Sequence, residues 1–342
     1  MDRSEAERLD AADPLGRFRD ELVDTDPDLI YLDGNSLGRL PRRTAERMER
    51  VVRDEWGGEL VRAWSHWIGL PRDVGDLIGR HLVGAADGQV VIADSTSVNL
   101  YRLAAAALSD RPDRGVVVTD DDNFPTDRYV LAGVAKERGR ELRLLHTDPG
   151  EGVDLDALAA ALDDDVALVS LSHVAYRSGA LADMAAVNEI AHRHGALVLW
   201  DLCHSAGVVP VELDASGTDL AVGCTYKYLN GGPGSPAFLY VRRDLQARLD
   251  NPVQGWFGQR DQFAMGPAYE PVDDIGRFLV GTPPVLSVVA VEEGVRLLAE
   301  AGVGRLHAKA TALTAHLIAL ADARLAERGF RVVSPRDARR RG

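Results

Sequence analysis

The stretch Gly223-Cys224-Thr225-Tyr226-Lys227-Tyr228-Leu229-Asn230-Gly231-Gly232-Pro233-Gly234 sets one lysine between two tyrosines. It lies just ahead of a turn too rich in Gly and Pro to continue as helix or strand. Upstream, Ala196-Leu197-Val198-Leu199-Trp200 is an unbroken apolar run that ends at Asp201-Leu202-Cys203-His204. A buried strand that delivers an aspartate to its carboxyl end, followed by a lysine on a turn, suggests a pyridoxal phosphate site. The lysine amine forms a Schiff base with the aldehyde, and the carboxylate keeps the pyridine nitrogen protonated so that the ring can accept electrons. Each residue also has an ordinary reading. A loop lysine is usually solvated, and an aspartate after a strand often caps the next helix. The pair, with His204 close behind Asp201, carries the signal.

The elements that would position these groups alternate along the chain. Residues 114–119, 142–145, 166–171 and 197–200 are short apolar runs, with helical patterns over 129–139, 154–162 and 182–194 between them. Continuous rather than alternating apolarity indicates strands covered on both faces, hence an α/β fold with a mainly parallel sheet flanked by helices. Ligands in such sheets collect at the strands' carboxyl ends, where Asp201, Ser172 and residues 120–127 fall. Asp94-Ser95-Thr96-Ser97 leads into a helical 101–108. Hydroxyls there serve as helix caps, and a helix N-terminus is also a phosphate site. Asn123-Phe124-Pro125-Thr126-Asp127 is a solvated acidic loop or a ring-stacking Phe124 with a polar neighbour, Asp127. His173 reads as a structural histidine, and His192 and His194 as surface residues. Gly255-Trp256-Phe257-Gly258 and residues 277–284 are aromatic and turn-rich, suited to core or hinge.

The chain has 342 residues, 46% hydrophobic, and a net charge of −14. That length suggests about two domains. The acidity disfavours non-specific binding to nucleic acid or an anionic membrane. Residues 336–342 form a small basic tail that reads as an unfinished or frayed terminus rather than a binding arm. The two cysteines, Cys203 and Cys224, give no disulfide framework and no metal-ligand spacing, so the expected compartment is the reducing cytoplasm. No apolar run approaches the length of a membrane span, and no signal-peptide pattern opens the chain. After Thr282-Pro283-Pro284, long helices are expected over 285–301 and 311–329, then a strand over 330–333. Together these begin a smaller α+β unit.

Five segments in order, YLDGNSLG (31–38), NFPTD (123–127), DLCHSAG (201–207), CTYKYLNGGPG (224–234) and GWFG (255–258), resemble kynureninase. That family is a fold-type I, aspartate aminotransferase-like group of pyridoxal 5'-phosphate hydrolases. The resemblance implies hydrolysis of L-kynurenine, or also of 3-hydroxykynurenine, to anthranilate and L-alanine in tryptophan catabolism. It makes Lys227 the Schiff-base lysine and base for the α-proton, Asp201 the partner of the pyridine nitrogen, and Tyr226 a proton relay. Thr96, Ser97, Phe124, Asp127, Ser172 and His204 match further cofactor contacts. Trp256 and Thr282 match residues that reach the phosphate from a neighbouring subunit, which implies a homodimer with shared sites. Ser36 and Trp64 match the substrate pocket. The implied division is an N-terminal segment 1–45 that packs with the small domain, a cofactor-binding body 46–281, and the start of a small domain at 282–342. No residue matches the family's α-carboxylate arginine, as though the small domain were cut short. Two other readings stay open: a lyase of the cysteine desulfurase type, and a non-catalytic relative that only binds cofactor.

Overall fold

The computed structural model describes residues 3–24, 26 and 28–342. Seven strands form one sheet: β1 (Val90–Ile92), β2 (Val116–Asp120), β3 (Glu141–Leu145), β4 (Val166–Ser172), β5 (Leu197–Asp201), β6 (Leu220–Gly223) and β7 (Phe238–Val241), in the order β1-β7-β6-β5-β4-β2-β3. Strands β2 to β6 pair in parallel, whereas β7 runs antiparallel to both β6 and β1. The helices are α1 (Arg3–Ala12), α2 (Arg42–Arg50), α3 (Trp64–Trp67), α4 (Leu70–Ile78), α5 (Thr96–Asp110), α6 (Pro125–Glu137), α7 (Leu155–Ala161), α8 (Met184–Arg193), α9 (Arg243–Gln246), α10 (Val285–Ala301) and α11 (Val303–Leu325).

Both faces of the sheet are covered, as the unbroken apolar strands require. Val116, Val118, Val198 and Trp200 point into one core, and Val117, Leu197 and Leu199 into the other. The register pairs Ser172 with Asp201 and Asp201 with Val222, so the ends of β4, β5 and β6 lie side by side. Asp120 ends β2 on the same edge. The helices over this edge start with local caps. Ser95 caps α5, Asp154 caps α7 and Asp183 caps α8, each accepting an N–H with its side chain. Pro125 occupies the first turn of α6, where its missing N–H costs nothing.

Helix α10 starts directly after the Pro283-Pro284 break, and its Val288, Val291, Val295 and Leu298 lie in the first core. Helix α11 has no buried residue. The N-terminal segment crosses both: Arg43 pairs with Glu300 at 2.6 Å, and Asp13 pairs with Lys309.

Two expectations for the last residues are corrected. Residues 330–333 make no strand and pair with none of the seven in the sheet. The arginine-rich tail is not frayed. Arg341 bridges Ala180, Leu181 donates to the Arg340 carbonyl at 2.9 Å, and Gly342 donates to the Gly179 carbonyl at 2.8 Å. The Arg341 side chain is buried and donates to the Pro335 carbonyl at 2.9 Å.

Candidate active site

Lys227 sits on the turn that follows β6, and that turn is clamped. Thr225 Oγ1 lies 2.6 Å from both Ser235 Oγ and the Pro236 carbonyl, and Gly231 N–H returns to the Thr225 carbonyl at 2.9 Å. Helix α10 presses on the turn through Gly294, where a Cβ would meet the Leu229 carbonyl at 2.1 Å. From the other side Gly38 N–H donates to the Tyr226 carbonyl at 2.9 Å, and a Cβ there would stand 2.2 Å from the Lys227 carbonyl. Only glycine permits either approach.

The amine so placed is half-buried, and Lys227 Nζ lies 2.9 Å from His204 Nε2. It also stands 5.9 Å from the centre of the Phe124 ring and 5.8 Å from that of Tyr226. Burial, then the Lys227 charge, lowers the His204 pKa, which favours a neutral imidazole beside the lysine. Burial pushes the Tyr226 phenol up to about 12, keeping it a donor at neutral pH.

Asp201, buried at the end of β5, accepts the Cys203 N–H at 2.7 Å. It is therefore both the expected strand-end carboxylate and a local cap. Asp127, in the first turn of α6, is also buried, and its Oδ2 has no hydrogen-bond partner. Burial, then repulsion from Asp201, raises the Asp127 pKa well above the usual carboxylate range. Behind them burial lifts Asp120 to about 6. Three carboxyls crowded at one sheet edge favour a proton or a cation among them.

Asn123 organises the next layer. Its Oδ1 accepts Ser172 Oγ–H and Phe124 N–H, each at 2.8 Å, and its Nδ2 donates to Thr119 Oγ1 at 3.0 Å. Phe124 is 38% exposed, leaving part of its ring open, and its edge meets Tyr176 at 5.3 Å. Thr96 Oγ1 lies 3.6 Å from Cys203 Sγ, which joins the N-terminus of α5 to the end of β5. A cavity of about 270 Å³ opens beside His204, between Asn35, Tyr176 and Tyr228 on one side and His307 and Thr311 of α11 on the other.

The fold thus gathers Thr96, Phe124, Asp127, Ser172, Asp201, His204, Tyr226 and Lys227 around one sheet edge, with Ser97 next to Thr96. Four other candidates stand apart. Ser36 is exposed and donates to Asp33 at 2.9 Å, although its neighbours Asn35 and Gly38 touch the cavity and the lysine turn. Trp64 is half-buried, 5.7 Å edge-on from Trp67. Trp256 is 37% exposed and packs on Phe257 at 4.7 Å, and Thr282 is exposed. Among the described residues no group of three or more His, Cys, Asp or Glu is arranged to hold a metal ion. Sequence reasoning missed Asn123 as an organiser and Arg102 altogether. The signal for Arg102 was a charge inside the apolar Leu100–Leu108 stretch of a buried helix.

Residues 78–341 match the model of the class-V aminotransferases. Kynureninase from Burkholderia pseudomallei (strain 1106a) is 45% identical over 99% of this chain and 82% of its own length. The kynureninase of Pseudomonas fluorescens is 42% identical with the same coverage. This chain belongs to the kynureninase family. The fold is shared more widely. The cysteine desulfurase of Thermococcus onnurineus NA1 superposes with a TM-score of 0.77 at 20% identity, covering 98% of this chain and 80% of that one. The C-DES protein with glycine covalently linked to its PLP cofactor gives 0.75 at 18% identity, over 87% and 78% of the two chains. No described helix is long and apolar enough to cross a membrane.

The family's cofactor is pyridoxal 5'-phosphate, and the residues present fit it. Among the described residues Lys227 pairs with a histidine rather than a carboxylate, so its amine is available to an aldehyde. The unpartnered Asp127 oxygen and the Asp201 carboxyl suit a protonated ring nitrogen. The N-terminus of α5 suits a phosphate.

Proposed function

We propose that this chain hydrolyses L-kynurenine, with 3-hydroxykynurenine as a second substrate, to anthranilate and L-alanine. The observation that carries the reading is the Lys227 amine, held 2.9 Å from His204 Nε2 at the edge where Asp201 and Asp127 meet. Bound pyridoxal phosphate supplies an aldehyde for amines and a cationic ring that draws electrons from the substrate's α-carbon. Asp201 holds the ring-nitrogen proton, itself fixed by the Cys203 N–H. Asp127 stands behind it, its raised pKa letting it keep or share that proton. The Phe124 face would exclude water from one side of the ring, and Thr96 and Ser97 would hold the phosphate. Lys227 Nζ takes the α-proton as a neutral amine, and His204 Nε2 can accept a proton from it. Tyr226, kept protonated, can donate its proton to the β-carbon of the alanine fragment as the bond to the γ-carbon breaks, and the proton of the added water restores the phenol. The bond between the β and γ carbons breaks. The hydroxyl of water ends in the carboxyl of anthranilate, and protons end on the carbon skeleton of alanine.

Trp256 and Thr282 complete the phosphate site of a second copy in a homodimer, which accounts for their exposure here. Ser36 and Trp64 line the substrate side. The two free cysteines suit a reducing cytoplasm. A desulfurase needs a nucleophilic cysteine on a mobile loop. Here Cys203 and Cys224 are held against each other, with Cys224 N–H on Cys203 Sγ at 3.2 Å. Anthranilate fluorescence after adding L-kynurenine to the cofactor-loaded protein tests the reading. Wild type should produce the signal and Lys227→Ala should not. A loaded wild-type protein that releases no anthranilate would overturn it.

A further inference from the structure

Among the described residues Arg102 is the charged residue least exposed to solvent, its side chain wholly shielded within α5. Its guanidinium meets four groups. Nε donates to Asn251 Oδ1 at 3.1 Å and Nη1 to Asn99 Oδ1 at 3.1 Å, while the remaining contacts are the Asp94 carboxylate and the Phe278 carbonyl. Asn251 continues the chain of contacts, its Nδ2 donating to the Arg277 carbonyl at 3.1 Å. A buried cation is costly unless its donors find acceptors, and here each of the three guanidinium nitrogens donates to at least one.

The Asp94 end of this network is unusual. Asp94 is one of the few non-glycine residues with positive φ, at 44°. Its carbonyl accepts the Ala237 N–H at 2.8 Å, and its carboxylate reaches back to Arg102. Asn99, the second partner of Arg102, donates to the Ala93 carbonyl at 2.7 Å. The guanidinium therefore grips the turn before α5 at both of its ends. Within that turn the Val98 and Asn99 N–H groups go to Ser95 Oγ and the Ser95 carbonyl. Thr96 and Ser97 keep N–H groups without a partner among the described residues, as the first turn of a helix does.

We propose that Arg102 is a positioning residue for the cofactor's phosphate. By holding Asp94 in its left-handed conformation and Asn99 on Ala93, it aims the free Thr96 and Ser97 amides at one point. Asn251 and Phe278, on the far side, anchor it. The inference rests on the reading that the N-terminus of α5 is the phosphate site, and it adds the residue that shapes that site without touching the ligand.

Pyridoxal, which has the aldehyde but no phosphate, separates the two ideas. Apo-protein is titrated with pyridoxal phosphate and with pyridoxal, following the absorbance of the bound cofactor, for wild type, Arg102→Met, Arg102→Lys and Asp94→Asn. Methionine replaces the buried bulk without the charge. Lysine keeps a charge on Asp94 but cannot fork to Asn251 and Phe278. In Arg102→Met the Kd for pyridoxal phosphate should rise about tenfold or more, while that for pyridoxal changes by less than about twofold. Arg102→Lys should fall between it and wild type. Asp94→Asn keeps the backbone conformation, because asparagine tolerates positive φ. Its side chain is partly exposed, so it serves if Arg102→Met does not fold, and the same phosphate-selective loss is expected. Equal losses for both ligands, or none for pyridoxal phosphate, would overturn the role of Arg102. Wild type that binds both ligands equally would overturn the phosphate turn as well.

Discussion

At the scale of single residues, Lys227 is one of three lysines in the chain. Lys136 is exposed on α6 and Lys309 pairs with Asp13, so only Lys227 combines partial burial with a histidine in place of a carboxylate partner. Its partner across the site, Asp201, makes a direct test. Asp201→Asn can still accept the Cys203 N–H but cannot stabilise a protonated ring nitrogen. Cofactor should remain bound while kcat for anthranilate falls by about 10²-fold or more; near-normal turnover would remove the proposed role. Asp120 gives a pH prediction. Burial raises its pKa from 3.8 to about 6, so the fold prefers the protonated carboxyl. The stability this group confers is complete below about pH 4 and is lost as pH rises through its folded pKa. Asp120→Asn should therefore stabilise the apo-protein near pH 8 by up to about 3 kcal/mol, and leave it unchanged near pH 3 in urea melts. An equal gain at both pH values would contradict the assignment.

At the scale of elements, the lysine turn depends on how closely α10 approaches it. A side chain at Gly294 has nowhere to go but into the Leu229 carbonyl. Gly294→Ala should cost about 1–3 kcal/mol and shift the absorbance of bound cofactor. An unchanged spectrum and melt would mean that α10 does not hold the turn. None of this clamping was legible in the sequence, where Gly294 is only a glycine inside a helical pattern. The parallel strands were legible, because β2, β4 and β5 are apolar runs covered on both faces. Strands β1, β6 and β7 were not, since three or four residues carry too little pattern to be told from loop. The expected strand at 330–333 shows the converse: β-branched residues make no strand without a neighbour. The arginine tail was misread for a related reason, because its bridge to Ala180 is a long-range pairing with no local signature. The Asp201, Lys227 and Asp127 motifs were readable because each follows a strand end, which is where this sheet collects functional groups.

At the scale of the whole molecule, the question is whether one chain makes one site. Trp256, Phe263 and Met265 are exposed together on one loop, 37%, 68% and 74% accessible. Aromatic and Met side chains in that state suit a buried interface. Sizing with absorbance detection should show cofactor migrating with a two-fold dimer. Mixing subunits gives a sharper result. Lys227→Ala and Trp256→Ala should each be weak alone, but a hybrid pairs the intact Lys227 of one chain with the intact Trp256 of the other. An equal mixture should recover about a quarter of wild-type activity, from one sound site in the hybrid half of the dimers. No recovery would place Trp256 with its own chain's Lys227.

Everything above depends on Lys227 carrying the cofactor, and that is open to direct mapping. The loaded protein is reduced with borohydride, digested, and its peptides are sequenced by mass spectrometry. The account predicts one pyridoxyl group, on the peptide that contains Tyr226-Lys227-Tyr228. A label on Lys136 or Lys309, or no stable label at all, would contradict it.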